Sequence, residues 1–234
     1  MKPAHLYFVP GTQCDEQLWH GLWPLLAPHE CTHLSIPLAN SIDEMVAGLL
    51  AQLPEAPVAL IGFSLGGYLS ARLATQYPAR VSRLLVCANS ACALPAAEVR
   101  GREQLVQAIK RLGYRGLNNQ KIAQMVGPSN IGRPEISACM KAMDARLGAG
   151  HLLNQLAATS KREDLLGALA GFTQPLALCF GEQDALVSKA WVARLVEARP
   201  ATKVYSVENC GHMLPLEQPQ ALANVVQAWL GAHR

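Results

Sequence analysis

The most informative segment of this sequence is Gly62-Phe63-Ser64-Leu65-Gly66-Gly67. It matches the pattern G-x-S-x-G, and it joins the apolar run 58–61 to a segment of helical period, 65–76. A serine in that setting lies on a sharp turn from strand to helix, where glycines two residues before and after it leave room for a crowded backbone. The positive end of the following helix favours negative charge beside the serine hydroxyl. We therefore predict that Ser64 is a nucleophile.

Two other interpretations of this stretch are an ordinary serine at the N-terminus of a helix and a phosphate-binding loop. A phosphate-binding loop needs a lysine or a wider glycine spacing, and the stretch has neither. The nucleophile is favoured because strand, turn and helix follow each other in the order that this chemistry requires.

Short apolar runs alternate with helical segments along most of the chain, which is typical of a parallel sheet covered by helices on both faces. The predicted strands are 6–9, 31–36, 58–61, 81–87, 176–180 and 203–207. Ser41 and Ser188 are predicted N-caps of helices, Pro78 ends the helix after Ser64, and Pro219 begins the last helix. The sequence therefore predicts an α/β fold.

The alternation stops between residues 91 and 171, where no strand-like run occurs. Three amphipathic helices are predicted there, around Leu105, Val106, Ile109 and Leu112, around Ile122, Met125 and Val126, and around Ile136, Met140, Met143 and Leu147. Glycines and prolines interrupt residues 127–134, so the segment is expected to fold back on itself. We predict an α/β core formed by residues 1–90 and 172–234, with a small helical cap, residues 91–171, inserted after the fourth strand.

His212 and Asp184 follow the last two predicted strands. Both are therefore expected at the C-terminal edge of the sheet, where catalytic groups of open α/β sheets gather. We predict that His212 is the general base and that Asp184, three residues after Gly181, accepts the Nδ1 proton of the imidazole. Glu182 lies on the same loop and is the alternative acid. Ser64, Asp184 and His212 follow one another along the chain in the order expected when the nucleophile lies on a strand-to-helix turn.

Together these motifs resemble the α/β-hydrolase superfamily of serine hydrolases over nearly the whole chain. Residues 6–12 are similar to the strand and oxyanion loop that open the family's core, and residues 211–219 are similar to its histidine loop and last helix. The resemblance implies that the backbone N–H groups of Thr12 and Leu65 form the oxyanion hole. The chain differs from the family pattern in carrying Pro10-Gly11 where His-Gly is common, which keeps the backbone donor. The early position of the first predicted strand leads us to expect a sheet without the family's first two strands, with about six parallel strands and 31–36 at or near an edge.

The resemblance further implies cleavage of a small hydrophobic carboxylic ester, thioester or lactone through an acyl-enzyme, as in carboxylesterases and enol-lactonases. An acyltransferase or perhydrolase uses the same three residues, and a ligand-binding signalling protein can retain the fold, so these alternatives stay open. Met125, Met140, Met143 and Leu147 of the cap are candidates for lining an apolar pocket for the acyl chain.

Composition and charge limit the functions that this protein can have. The chain has 234 residues, half of them hydrophobic, so it can bury a large core without metal or disulfide. Its net charge of +3 comes from scattered Lys and Arg residues, which gives no indication of nucleic-acid binding. Neither a signal peptide nor a membrane-spanning run is recognisable. We expect a cytoplasmic monomer or homodimer that uses no cofactor or metal and acts on a small molecule.

The seven cysteines are widely spaced and include no C-x-x-C pair, so they are expected to be reduced and mostly buried. Cys210 lies two residues before His212 and is a rival nucleophile. A side chain so close in sequence usually points away from the imidazole, which favours Ser64.

Overall fold

The computed structural model describes residues 3–231 and contains a central parallel sheet. Its strands are β1 (His5–Val9), β2 (Glu30–His33), β3 (Val58–Phe63), β4 (Val81–Cys87), β5 (Leu176–Gly181) and β6 (Lys203–Val207). The strands lie in the order β2-β1-β3-β4-β5-β6, and each neighbouring pair is parallel. The prediction of about six parallel strands is confirmed, and β2 lies at an edge as expected.

Helices follow most strands. They are α1 (Ile42–Leu50), α2 (Leu65–Gln76), α3 (Ala96–Leu112), α4 (Asn119–Met125), α5 (Pro134–Thr159), α6 (Leu166–Ala170), α7 (Lys189–Ala198), α8 (Leu214–Glu217) and α9 (Pro219–Gly231). The predicted caps are confirmed, since Ser41 Oγ accepts the N–H of Glu44 at 3.2 Å and Ser188 Oγ accepts the N–H of Trp191 at 3.2 Å. None of the helices described between residues 3 and 231 is long and apolar enough to cross a membrane.

The strands divide the core into two clusters, one on each face of the sheet. In β1, Tyr7 and Val9 face the cluster covered by α1, α2, α6 and α7, whereas Leu6 and Phe8 face the other. The second cluster is covered by α9, by the short turns after β1, and by side chains of α4 and α5. Because successive side chains of a strand point to opposite faces, strands buried on both faces have the continuous apolar runs seen in the sequence.

The predicted end of the second strand, at residue 36, is wrong by three residues. Pairing with β1 ends at Phe8 and His33, after which the Leu34 N–H donates to the Phe8 carbonyl at 2.8 Å. Leu34 and Ile36 are nevertheless buried, because they pack in the cluster covered by α1. The apolar residues at 34 and 36 therefore reflect burial of the chain and not strand pairing.

The segment between β4 and β5 is helical, as its sequence predicts, and contains α3 to α6. Its longest helix, α5, is interrupted at Gly148, whose φ of 72° is not helical. In α3 the expected apolar face is only partly buried: Ile109 is covered, but Leu105 and Leu112 are exposed. The reason is that α3 packs mainly against α5. The division of the chain into a core and a separate cap at residues 91 and 171 stays a prediction.

Candidate active site

The turn between β3 and α2 holds Ser64 in an uncommon backbone conformation, with φ 51° and ψ −118°. A Cβ atom on Gly62 would lie 2.3 Å from the Gly66 carbonyl oxygen, and one on Gly66 would lie 2.3 Å from the carbonyl oxygens of Val9 and Pro10. Any side chain at either position would therefore clash with backbone. The two glycines of the motif are required by this close approach, as the sequence predicted.

The neighbouring strand β4 helps to hold the backbone of Ser64. Its N–H donates to the carbonyl of Cys87, at the end of β4, at 2.8 Å. The side chain lies at the N-terminus of α2 and is half-buried. The hydroxyl is thus at the carboxyl edge of the sheet, beside the positive end of a helix.

The structure places His212 next to Ser64 and Asp184 next to His212, which is the arrangement that the sequence predicted. His212 Nε2 is 2.9 Å from Ser64 Oγ, and His212 Nδ1 is 2.9 Å from Asp184 Oδ2. The imidazole is buried, with its ring centroid 5.4 Å from that of Phe63. Because the carboxylate accepts only, Nδ1 carries the proton in the neutral imidazole and Nε2 is left to accept from the serine hydroxyl.

Backbone contacts hold Asp184 on the loop after β5. Its Oδ1 accepts the N–H of Leu186 at 2.9 Å, and its own N–H donates to the Gly181 carbonyl at 3.0 Å. A Cβ on Gly181 would lie 2.2 Å from the Gly211 carbonyl oxygen, so glycine lets the aspartate loop and the histidine loop meet. The side chain of Glu182, the alternative acid, is exposed.

The loop after β1 lies against the nucleophile. A Cβ on Gly11 would be 3.0 Å from the Phe63 ring and 3.1 Å from Cβ of Ser64. Among the hydrogen bonds described for residues 3–231, none is donated by the backbone N–H of Thr12 or of Leu65. Both groups therefore remain able to donate to a bound oxygen, which is the property that an oxyanion hole requires.

Cys210 is placed unfavourably for nucleophilic chemistry. Its side chain is fully buried, and its Sγ donates to the Gly211 carbonyl at 3.4 Å. Burial and the nearby Glu217 carboxylate raise the pKa of the Cys210 thiol well above the ordinary range, so the reactive thiolate is suppressed.

The four predicted pocket residues have different surroundings. Met140 and Met143 are buried in the same cluster as Phe63 and Trp19. Met125 is half-buried against that cluster, and its carbonyl accepts the N–H of His212 at 2.7 Å. Leu147, on α5 just before its kink, is half-buried. Their role in holding an acyl chain stays a prediction.

Glu217 is a structural feature of the site to which the sequence assigned no role. Its carboxylate is buried and accepts four hydrogen bonds, from the backbone of Gly127, Gly211 and Met213 and from the Asn130 amide, at 2.8–3.0 Å. Hydrogen bonds to a charged group contribute about 1.5–3 kcal/mol each, so four of them offset a desolvation cost of several kcal/mol. The carboxylate ties the histidine loop to the segment between α4 and α5.

No group of three or more His, Cys, Asp and Glu side chains suited to a metal ion occurs within residues 3–231.

Comparison with known proteins identifies related sequences over nearly the whole length. A family model described as the alpha/beta hydrolase family matches residues 7–225. A pimeloyl-[acyl-carrier protein] methyl ester esterase of Aeromonas hydrophila is 26% identical, with 97% of this chain and 95% of that protein aligned. An esterase of the same name from Aromatoleum aromaticum is 25% identical, with 97% and 98% aligned.

Solved structures show the same architecture. The enol-lactonase from Burkholderia xenovorans LB400 superposes with a TM-score of 0.85 at 17% identity, covering 99% of this chain and 92% of that one. A thermophilic esterase from Thermogutta terrifontis superposes with a TM-score of 0.84 at 19% identity, covering 98% and 90%. At such low identity these likenesses concern the fold alone.

Proposed function

Because the chain belongs to the alpha/beta hydrolase family, we propose that it is a serine hydrolase that cleaves a small hydrophobic carboxylic ester, thioester or lactone through an acyl-enzyme. The family resemblance predicted from the sequence is confirmed by that membership. The observation that carries the proposal is the pair of 2.9 Å contacts that join Ser64, His212 and Asp184 in series.

The proposed chemistry uses each group in turn. Ser64 Oγ attacks the carbonyl carbon while His212 Nε2 takes its proton, and Asp184 stabilises the imidazolium that results. The negative oxygen of the tetrahedral intermediate accepts from the N–H groups of Thr12 and Leu65. His212 then gives its proton to the departing alcohol, and water, activated by the same imidazole, releases the acid from Ser64.

The first substrates to test are methyl esters of carboxylic acyl chains, including acyl chains attached to an acyl carrier protein. The support is the name that the near full-length curated relatives carry, pimeloyl-[acyl-carrier protein] methyl ester esterase. Buried apolar side chains in the segment between β4 and β5 are chemically suited to contact an acyl chain.

The test is a panel of methyl and p-nitrophenyl esters of varied acyl length, together with lactones, assayed with the wild type and Ser64→Ala. We expect repeated turnover by the wild type and a loss of at least about 10⁴-fold in Ser64→Ala, because the other groups act through the serine. A fluorophosphonate probe should label the wild type and not the variant. Ser70→Ala, which changes a buried serine in the same helix, is the matched control and should still be labelled.

The same experiment separates the alternative functions. Turnover or labelling that survives Ser64→Ala contradicts the proposal, and labelling of Cys210 assigns the nucleophile to the thiol. Acylation without release indicates a binding protein that has kept the fold. Transfer of the acyl group to an added alcohol or to hydrogen peroxide in preference to water indicates an acyltransferase or perhydrolase.

A further inference from the structure

Gln13 follows Thr12 in the loop after β1, and its φ of 54° is a left-handed conformation that residues with side chains rarely adopt unsupported. Its support comes from α5. The backbone N–H of Gln13 donates to Gln155 Oε1 at 3.0 Å. Its side-chain Nε2 donates to Asp144 Oδ1 at 2.8 Å and to the Gly148 carbonyl at 3.2 Å. Both of these partners can only accept, which determines the orientation of the amide.

Asp144 is itself held rigidly. Its side chain is 2% exposed, and besides Gln13 it accepts the Tyr114 hydroxyl and, at 2.9 Å, the N–H of Leu117. Burial and the neighbouring carboxylate raise the pKa of Tyr114, which keeps the phenol a neutral donor. The loop after β1, the segment that contains Tyr114 and Leu117, and α5 therefore meet at the Asp144 carboxylate. None of these contacts takes part in the chemistry proposed for Ser64.

Gly148 contributes through its backbone. Its φ of 72° and ψ of −179° interrupt α5, and its carbonyl accepts from Gln13. No heavy atom lies within 4 Å of a Cβ built at this position, so it is the positive φ and not lack of space that favours glycine there.

These contacts act on the backbone next to the oxyanion hole. The N–H of Thr12 belongs to the peptide that joins it to Gly11, and the N–H of Gln13 belongs to the next peptide. Fixing the second peptide fixes the Cα atom of Thr12, which lies in the plane of that peptide, while Gly11 is confined on the other side by Phe63 and Ser64. The direction of the Thr12 N–H is thus set by contacts on both sides of it.

We propose that Asp144 and Gln155 are positioning residues that act through Gln13 to hold the Thr12 N–H toward the oxyanion. This inference rests on the proposed function, because it concerns the transition state of the proposed hydrolysis. It gives the helical segment between β4 and β5 a part in stabilising that state. Neither residue contacts the reacting atoms, and both act by restricting the loop that does.

The chain offers a matched control on the same two elements. Asp15, two residues after Gln13, forms a paired contact with Arg146 of α5, at 2.7 and 3.0 Å. This pair lies at the surface, with the Arg146 side chain 48% exposed. Arg146→Gln therefore removes a link between the loop and α5 without touching the contacts of Gln13.

The experiment compares Gln13→Met, Gln155→Met, Gln155→Glu and Arg146→Gln on the best ester of the panel. It also measures the inhibition constant of a trifluoromethyl ketone of the same acyl shape. Addition of Ser64 Oγ to this ketone forms a hemiketal whose negative oxygen occupies the oxyanion hole, while His212 takes the serine proton. The inhibitor thus reports on the hole and not on ground-state binding.

We expect kcat to fall about 10- to 100-fold in both methionine variants. This decrease is no larger than the decrease in kcat caused by removing a whole oxyanion donor. KM should stay within about threefold, and the inhibition constant should rise by the factor by which kcat/KM falls. Gln155→Glu keeps an acceptor for the Gln13 N–H and should recover most of the kcat that Gln155→Met loses. The kcat of Arg146→Gln should stay within about twofold of the wild-type value.

The outcomes distinguish this inference from the proposed function. A wild type that neither turns over esters nor is labelled at Ser64 overturns both. A wild type that is active, with methionine variants that change only KM, leave the inhibition constant unchanged, or lose no more than Arg146→Gln, overturns the inference alone. If Gln155→Met fails to fold, Gln13→Met, at a half-buried position, decides the question.

Discussion

At the scale of single residues, backbone strain is concentrated around the candidate site. The residues other than glycine with positive φ, among those the structure describes, are Gln13, Ser64, Ala88, Ala91 and Asn209. Each lies beyond the carboxyl end of a strand, at the edge where Ser64 and His212 meet. Such conformations cost about 1–3 kcal/mol each and persist only where surrounding contacts hold them. The surrounding contacts that hold Ser64 and Gln13 are the hydrogen bonds and close glycine contacts described above.

The choice of Asp184 over Glu182 is testable at the same scale. Asp184→Asn should lower kcat by up to about 10⁴-fold near neutral pH, because the amide favours the wrong imidazole tautomer and cannot stabilise the imidazolium. Thermal unfolding should change little, since an asparagine oxygen can still accept from Leu186. Glu182→Gln, on the same loop but exposed, is the control and should stay within a few-fold of the wild type. The opposite ranking of the two variants would assign the acid to Glu182.

At the scale of secondary-structure elements, α5 combines two parts with different surroundings. Before the kink at Gly148 it contributes Met140 and Met143 to the cluster that includes Phe63. After the kink, Leu152 and Leu156 pack against Ile109 of α3. The helix therefore connects the neighbourhood of Ser64 to the outer helical layer.

This division predicts which changes in α5 alter substrate preference. Met140→Ala and Met143→Ala should shift the preferred acyl chain toward greater length, because truncation enlarges the apolar space on the side of the sheet that carries Phe63. Each should also lose about 2–5 kcal/mol of stability, so kcat/KM across acyl lengths is measured well below the unfolding midpoint.

The matched control for that prediction is Leu152→Ala, which truncates a buried side chain of the same helix in the other cluster. It should lose stability while the order of preferred acyl lengths is kept. An unchanged order in both methionine variants, or an equal shift in Leu152→Ala, would show that these methionines do not set chain length.

At the scale of the whole molecule, the core isolates most of the cysteines. Cys14, Cys87, Cys179 and Cys210 are buried, and all seven thiols are free in the structure. Burial raises the pKa of Cys14 to about 12. At pH 7 to 8 its thiolate fraction is therefore far below that of an ordinary exposed cysteine.

Thiol titration should follow this burial. In the folded protein a disulfide reagent such as Ellman's should react within minutes with at most the half-buried Cys31, Cys92 and Cys139. Cys31 should be slow among them, since burial raises its pKa to about 11. After denaturation in guanidinium all seven should react. Rapid reaction of four or more thiols in the folded protein would contradict the described packing.

The sheet, the turn at Ser64 and the placement of His212 and Asp184 could be predicted from the sequence. These features depend on the local order of residues along the chain. A G-x-S-x-G motif after an apolar run specifies its own turn, and parallel strands bring the residues that follow each of them to one edge. The same reasoning failed at the end of β2, where burial without pairing continued the apolar pattern.

The contacts between the helical segment and the site could not be predicted from the sequence, because they depend on tertiary packing. Gln13 and Asp144 are 131 residues apart, and Glu217 accepts from Gly127 and Asn130, which are 90 and 87 residues away. A single buried carboxylate has no periodicity and no fixed spacing from its donors, so nothing in the linear order distinguishes it from an exposed one. Its partners are chosen by the packing of α4 and α5 against the loops of the sheet, and that packing exists only once the chain has folded.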